Sequence, residues 1–470
     1  MSEGLWHWDE LIRAAGGRGE GTPARAITGF SLDSRTVQPG EVFVAIRDVR
    51  DGHDFVPAAL AAGAAAAVVS ENFAAPSGAG ALLRVADPLA ALSAIGRAAR
   101  VRTHARILAV TGSVGKTGTK EMLRACLSRL GKTHAAERSF NNQWGVPLTL
   151  ADMPPDSDYG VFEIGMNHTG EITPLTVLVC PHVALITAVE PVHLAHFRSL
   201  VDIARAKAEI FTGLIPGGAA ILPRDSAHYE LLREHANAVG ASIASFGYQQ
   251  GADVRALRVD TGANGSDVIA QHGSERICYR LGVPGEHYVG NSLAVIAALD
   301  ALNVDRARAL PALAALAAPP GRGRRTLLDA DGPMLLIDES YNANPASMRA
   351  ALSALAVTPR ASFPRRIAVL GDMLELGPTA PELHRALKPA IEAAGVDLVL
   401  GCGPLMRFLY DELATGRGGW AKTSQELIPL LLSSARAGDA IMIKGSLGTR
   451  MAPIVEAMLA RFAARQAGGE

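Results

Sequence analysis

The 470-residue chain is poor in cysteine, in aromatic side chains and in net charge. Its four cysteines, Cys126, Cys180, Cys278 and Cys402, lie far apart with no CxxC pair. That spacing fits reduced core thiols rather than a disulfide frame or a zinc site. Lys+Arg 45 against Asp+Glu 46 leaves a formal charge of -1, so no global field draws the chain to nucleic acid or to an anionic membrane surface. Any phosphate it binds must be held locally. Long apolar runs are missing too: the longest, Pro57 to Val69, is mostly alanine and falls short of the roughly 18 residues a membrane span needs. The opening residues, MSEGLWHWDELIR, carry neither a basic region nor an apolar one of the signal-peptide kind. The expectation is a cytoplasmic protein with no nucleic-acid partner and no membrane insertion. No repeat of fixed period is present, which excludes a solenoid.

What is present is alternation. At roughly 150 residues per domain the length suggests about three domains, and short apolar strands alternate with alanine-rich helical stretches. Ile107 to Thr111, Gly160 to Ile164, Val183 to Thr187, Pro333 to Asp338, Ile367 to Leu370 and Ala440 to Ile443 read as strands of parallel α/β domains. Gly29 to Ser34 and Glu41 to Ile46 read as strands of a smaller α/β unit ending near Val85. The paired prolines in Ala317-Ala318-Pro319-Pro320-Gly321 end a helical run and mark a second boundary. The predicted division is 1–85, 86–317 and 318–470.

The strongest chemical signal follows the strand Ile107 to Val110, which runs into Thr111-Gly112-Ser113-Val114-Gly115-Lys116-Thr117-Gly118 and then the helical stretch Lys120 to Leu130. Strand, glycine loop and helix occur in the order a phosphate cradle needs. Glycines let backbone N–H groups turn onto phosphate, the helix start adds positive potential, Lys116 reaches the β/γ oxygens and the Thr117 hydroxyl can ligate Mg²⁺. Val110 occupies the first glycine position of the strict GxxxxGK[ST] pattern. A glycine turn with a solvated lysine is the plainer alternative, and the strand-to-helix context favours nucleotide binding.

A phosphate-bound metal needs an acidic partner, and Glu163 sits in the apolar run Gly160 to Ile164. A carboxylate there either faces a cation or points to solvent. His193 follows, with Lys207 fourteen residues on among helical alanines. Taken singly, a structural histidine and a solvated lysine are the ordinary readings of these two.

In order and spacing, these motifs resemble those of the ATP-dependent Mur ligases of peptidoglycan synthesis, over nearly the whole chain. Leu32 to Ile46 with Asp51 to Phe55 is similar to the family's uridine-nucleotide signature. Thr111 to Glu121 resembles its TGSxGKT loop, and Phe140 to Pro147 with Glu163 to Ile172 its metal-site segments. Gly285 to Asn291 resembles the adenine-reading helix start, with Tyr288 where the family usually has Asn. Ile337-Asp338-Glu339-Ser340-Tyr341-Asn342-Ala343-Asn344-Pro345 is similar to the subtype-specific DDSYNANP loop. Leu370 to Gly377 and Ile443 to Ser446 also resemble that subtype, with Leu447 where an Arg often follows.

The resemblance implies three α/β domains: a small uridine-nucleotide-binding domain, a central parallel-sheet P-loop ATPase domain and a C-terminal Rossmann-like domain. It implies Ser34 and Arg35 as uridine-side contacts. Thr117 and Glu163 would hold one Mg²⁺, His193 would help to hold a second, and Lys207 would carry a CO₂-derived carbamate facing the metal. Asn291 would read adenine, Asp338 the ribose, and Tyr341 and Asn342 the nucleotide edge. Arg324 would contact the γ-phosphate, with Arg322 and Arg325 as near-neighbours. The implied reaction is ATP-dependent amide formation through an acyl phosphate, joining D-Ala-D-Ala to UDP-MurNAc-tripeptide in the cytoplasm, by a chain able to act as a monomer. Three alternatives share parts of this pattern. A sister ligase adding diaminopimelate or lysine would carry a DNPR-type motif, which is not found. The uridine-type first domain speaks against a folylpolyglutamate synthase, and a regulatory P-loop NTPase would hydrolyse ATP regardless of peptides.

Overall fold

The computed structural model describes residues 4–76, 78, 80–136, 139–191, 196–262, 265–413 and 418–462. Among these residues the strands form three sheets, of five, nine and six strands. The first sheet runs Arg18–Glu20, Ala81–Val85, Ala66–Ser70, Glu41–Val44, Gly29–Ser31 across its width, and Arg18–Glu20 is its antiparallel edge. Gly29–Ser31 stops before the expected end at Ser34 because Asp33 bends the chain, its Oδ1 accepting from Arg35 N (3.0 Å) and its carbonyl from Thr36 N (3.1 Å).

In the central sheet the parallel strand Arg106–Thr111 lies between Tyr159–Glu163 and Val183–Ile186. Ile107 to Val110 are fully buried, as expected of a parallel strand covered on both faces. The helix after the glycine loop is Lys116–Leu127, so it starts four residues before the predicted Lys120. The parallel sheet continues into a three-stranded antiparallel extension, Val254–Gly262, Gly265–His272 and Glu275–Leu281. Sequence reading did not foresee this extension. Its strands leave one face partly solvated, so their sequence mixes polar with apolar residues and lacks the continuous apolar runs of the buried strands.

The six-stranded sheet runs Arg324–Asp329, Pro333–Glu339, Asp439–Lys444, Arg365–Gly371, Leu398–Cys402, Gly418–Ala421. All its neighbours are parallel except the first pair. Each sheet has an apolar cluster on both faces, the layered arrangement that α/β domains require. No helix of the described residues is long and apolar enough to cross a membrane.

The first and central sheets are joined through a packed seam. Helix Pro88–Arg102 lies against helix Gly145–Ala151, and Leu148 and Ala151 enter the core that holds Trp6, Leu11 and Phe30. Trp6 Nε1 donates to Ala151 O (2.9 Å), and the Arg102 guanidinium stacks 3.6 Å over the Trp6 ring. At the end of the seam Phe30 N donates to Asp152 Oδ1 (2.8 Å). Burial pushes the Asp152 carboxyl up to about 8, against the Phe30 N–H, with Glu41 adding to the rise.

An unfolded aspartate titrates near about 3.9, so the folded chain holds an extra proton between that value and about 8. Stability contributed by this proton is complete at low pH and is lost as pH rises through that window. Asp152→Asn keeps an oxygen for the Phe30 N–H and removes the titration. The melting temperature of the wild type should therefore fall relative to Asp152→Asn as pH rises from about 4 to about 8; a pH-independent difference would refute the assignment.

Candidate functional site

The glycine loop occupies the carboxyl end of Arg106–Thr111, the end at which parallel sheets bind ligands. Two glycines make its shape possible. At Gly112 (φ +153°) a Cβ would collide with Thr187 Oγ1, and at Gly115 (φ +85°) it would lie 2.7 Å from Asn291 Oδ1. Thr187 Oγ1 also donates to Val114 O (2.5 Å). Ser113 Oγ donates to Glu190 O and accepts from Glu190 N, both at 2.9 Å. The loop is thus clamped from outside, leaving its amides and the start of helix Lys116–Leu127 as an anion-binding end.

Charge gathers behind the loop. Lys116 Nζ donates to Gly112 O (2.7 Å). Burial lowers its pKa; Glu163 opposes the shift and Arg322 adds to it. Glu163 is 2% exposed and does not point to solvent: its Oε2 accepts from Thr117 Oγ1 (2.8 Å) and its Oε1 from Asn141 Nδ2 (2.8 Å). Lys207, on helix Leu200–Ala208, is also 2% exposed rather than solvated. Burial, with Lys116 as the second cause, holds its amine well below the usual lysine pKa.

The third domain supplies the facing wall. The Arg322 guanidinium lies 4.1 Å over the Tyr341 ring, and its Nη2 donates to Ser139 Oγ (3.3 Å) in the central domain. Tyr288 OH donates to Arg322 O (2.5 Å), a second bridge between the domains. Lys444 Nζ contacts Glu339 Oε2 (3.2 Å) and Asn342 O (2.9 Å). Together the walls enclose a cavity of about 1210 Å³, with Lys116 and Glu163 on one side and Arg322, Glu339 and Tyr341 on the other.

Of the residues singled out in the sequence, Ser113, Val114, Gly115, Lys116, Gly118, Glu163, Asn291, Tyr341 and Asn342 line this cavity. Thr111, Gly112 and Thr117 lie immediately behind it, Thr111 Oγ1 buried with no hydrogen-bond partner. Ser34 and Arg35 are not among its lining residues; Arg35 is exposed and holds Asp33 through Nε (2.9 Å) and Nη2 (2.6 Å). His193 lies outside the described residues.

Two of the expected residues do not line the cavity. Arg324 begins the edge strand Arg324–Asp329 and is exposed outside the cavity, whereas Arg322, in the preceding turn, enters it. Asp338 is 9% exposed, and its carboxylate is taken up by Gly321 N (2.8 Å), Ser340 N (3.1 Å) and Ser340 Oγ (2.6 Å). Glu339 lines the cavity instead, because neighbouring strand residues point to opposite faces. Glu190 and Trp144 also line the cavity and were missed. Glu190 follows a strand with no pattern of its own to mark it, while Trp144 belongs to a segment noted only for the family pattern.

This donor set fits a magnesium nucleotide. Lys116 has Arg322 and Lys207 as like-charged neighbours and Glu163 as the opposing one, a repulsion that a polyphosphate would relieve. Among the described residues no three His, Cys, Asp or Glu side chains converge as a metal cluster. The paired Thr117 and Glu163 oxygens match the few protein ligands Mg²⁺ takes when phosphate supplies the others.

Three family models match the chain: Mur ligase family, catalytic domain, over residues 26–114; Mur ligase middle domain over 110–299; and Mur ligase, glutamate ligase domain, over 323–447. The UDP-N-acetylmuramoyl-tripeptide--D-alanyl-D-alanine ligase of Rickettsia prowazekii (strain Madrid E) is 32% identical over 429 residues, covering 90% of this chain and 94% of that one. The protein of the same name from Synechocystis sp. is 34% identical, covering 92% of each. Among solved structures, UDP-N-acetylmuramoylalanyl-D-glutamyl-2,6-diaminopimelate--D-alanyl-D-alanyl ligase from Acinetobacter baumannii superposes with a TM-score of 0.82 at 30% identity, covering 97% of this chain and 98% of that one.

Which arginine of the third-domain wall reaches the nucleotide is directly measurable. Arg322→Ala should weaken binding of a magnesium nucleoside triphosphate by about tenfold or more, the size of a lost charge-assisted hydrogen bond, while Arg324→Ala leaves it within about twofold, as for an exposed charge. Calorimetric titration of both variants decides between them.

Proposed function

This chain belongs to the Mur ligase family, and from that premise we propose that it joins D-Ala-D-Ala to the terminal carboxylate of UDP-MurNAc-tripeptide, converting ATP to ADP and phosphate. The observation that carries the reading is Lys116 at the start of the loop helix, with Glu163 and Arg322 beside it, on a cavity lined by the central and third domains. Relatives at 32–34% identity over nine-tenths of the chain, both named for this reaction, support the choice of substrates.

A carboxylate is a poor acyl donor at neutral pH, and phosphorylation makes it one. The loop amides 112–117 and Lys116 hold the phosphates and offset charge as the γ-phosphoryl group passes to the tripeptide carboxylate. Arg322 reaches the same group from the third domain. Thr117 and Glu163 would hold Mg²⁺, which screens phosphate charge, and His193 would share a second ion. The amine of D-Ala-D-Ala then attacks the acyl carbon, the new C–N bond forms, phosphate leaves with the electrons of the broken C–O bond, and the nitrogen gives up its extra proton to the departing phosphate or to solvent. Leu374, Leu376 and Leu447 line the third-domain side and limit water at that step.

Lys207 supplies what carbamylation needs, a buried amine whose neutral form is favoured. Its nitrogen adds to CO₂ and releases a proton to solvent, leaving an anion beside Lys116. For the nucleoside we assign Asn291 to the base, Glu339 rather than Asp338 to the ribose, and Tyr341 and Asn342 to the nucleotide edge. Ser34 and Arg35 are assigned to the uridine side. The domain division is 1–85, 86–317 and 318–470, and the chain works as a cytoplasmic monomer.

Phosphate release should require both peptide substrates together and be accompanied by the mass of the joined pentapeptide; release indifferent to both would leave only an ATPase. Lys207→Ala should lower ligation by about 10- to 100-fold, the usual cost of altering a metal site. Millimolar formate or acetate should restore part of the rate. Full activity in the unsupplemented variant would eliminate the carbamate.

A further inference from the structure

The cavity extends beyond the phosphate site to the seam that joins the first and central sheets. There it is lined by Leu89, Ser93 and Arg97 of helix Pro88–Arg102. Their four-residue spacing puts all three on one helix face. Trp144, Pro147, Leu175 and Leu178 supply an apolar wall to the same cavity. The other cations of the cavity are engaged: Lys116 with Gly112 O, Arg322 with Ser139 and Tyr341, Lys444 with Glu339 and Asn342. Arg97 makes no recorded hydrogen bond or ion pair among the described residues, and the carboxylate of Glu171 in this cavity is taken up by Asn167 N (2.7 Å) and His168 Nδ1 (3.0 Å).

Arg97 is solvent-exposed at the edge of this cavity, where its unpaired guanidinium can take a carboxylate from a ligand lying along the apolar wall. Helix Pro88–Arg102 also packs into the first sheet's core through Ala91, Leu92 and Ile95, so a ligand held by both the first domain and the phosphate loop would pass near it. We propose that Arg97 is a specificity-determining residue that pairs with a free carboxylate of the substrate's peptide stem; this rests on the ligase reading above. The name of the Acinetobacter relative describes a stem of alanyl, D-glutamyl and 2,6-diaminopimelate residues. A glutamyl residue linked through one carboxyl keeps the other free, and so does diaminopimelate. Either carboxylate has the required chemistry, and the glutamyl one lies mid-stem, between the sugar and the reacting end.

The test compares wild type, Arg97→Gln and Arg97→Lys on the native UDP-tripeptide and on two analogues, one amidated at the free glutamyl carboxylate and one at the distal diaminopimelate carboxylate. Arg97→Gln should raise KM for the native UDP-tripeptide by about tenfold or more, leaving kcat and the KM values for ATP and D-Ala-D-Ala unchanged, and Arg97→Lys should recover part of the loss. Amidating the paired carboxylate should penalise wild type by a similar factor and Arg97→Gln hardly at all. The analogue that shows this loss of sensitivity identifies which carboxylate is read. Equal penalties in wild type and Arg97→Gln on both analogues would overturn the assignment, as would a fall in kcat with KM unchanged. Absence of ligation by the wild type on native substrates would instead overturn the functional reading, and the stem proposal with it.

Discussion

The site depends on like charges held close together around one buried lysine, Lys116. Lys116 has Arg322 and Lys207 near it and Glu163 as the opposing charge, and burial adds to the cost of charging both lysines. The chain relieves part of the strain internally, by folding Lys116 onto Gly112 O and by disfavouring the charged form of Lys207. The remainder has to be met by an incoming polyanion. Its affinity for phosphate therefore arises from charge placed locally around Lys116, while the molecule as a whole is close to neutral.

The architecture serves that imbalance by aiming two parallel sheets at one cavity. Strand ends at Thr111 and Glu163 in the central domain face Glu339 and Lys444 at strand ends of the third. The two unions between domains differ in kind. First and central domains share a continuous apolar seam through Trp6, Leu148 and Ala151. Central and third domains meet near the site through polar contacts, Tyr288 OH to Arg322 O and Arg322 to Ser139. Polar contacts of this sort break and re-form at small cost, which suits a site that must admit a nucleotide and then exclude water.

Much of this was legible in the sequence, for identifiable reasons. The phosphate loop declares itself because glycine positions, a lysine and a strand-to-helix transition are local features. Buried parallel strands read clearly because both their faces are apolar. Glu163 and Lys207 looked ordinary singly, since burial is a property of the assembled fold, and only their place in the family's order marked them. Arg322 and Glu339 line the cavity one or two positions away from the residues expected there. Three arginines crowd the turn before Arg324–Asp329, and two acids adjoin at Asp338 and Glu339; which member of each group faces inward is decided by where the turn ends and the strand begins. The antiparallel extension was illegible because a half-solvated strand carries too few apolar residues to stand out.

The clamped glycine loop also bears on how a population of these molecules could answer an inhibitor. Anion contacts made by main-chain amides are encoded by no particular side chain, so point mutation cannot delete them one at a time. Gly112 and Gly115 are barred from accepting a Cβ by Thr187 and Asn291, which closes the route of obstructing the loop with a larger residue. A compound whose affinity comes mainly from that loop would confront a target with few tolerated escape variants. One leaning on Leu374 or Leu447 would confront side chains free to change size, and resistance would be expected to arise there first.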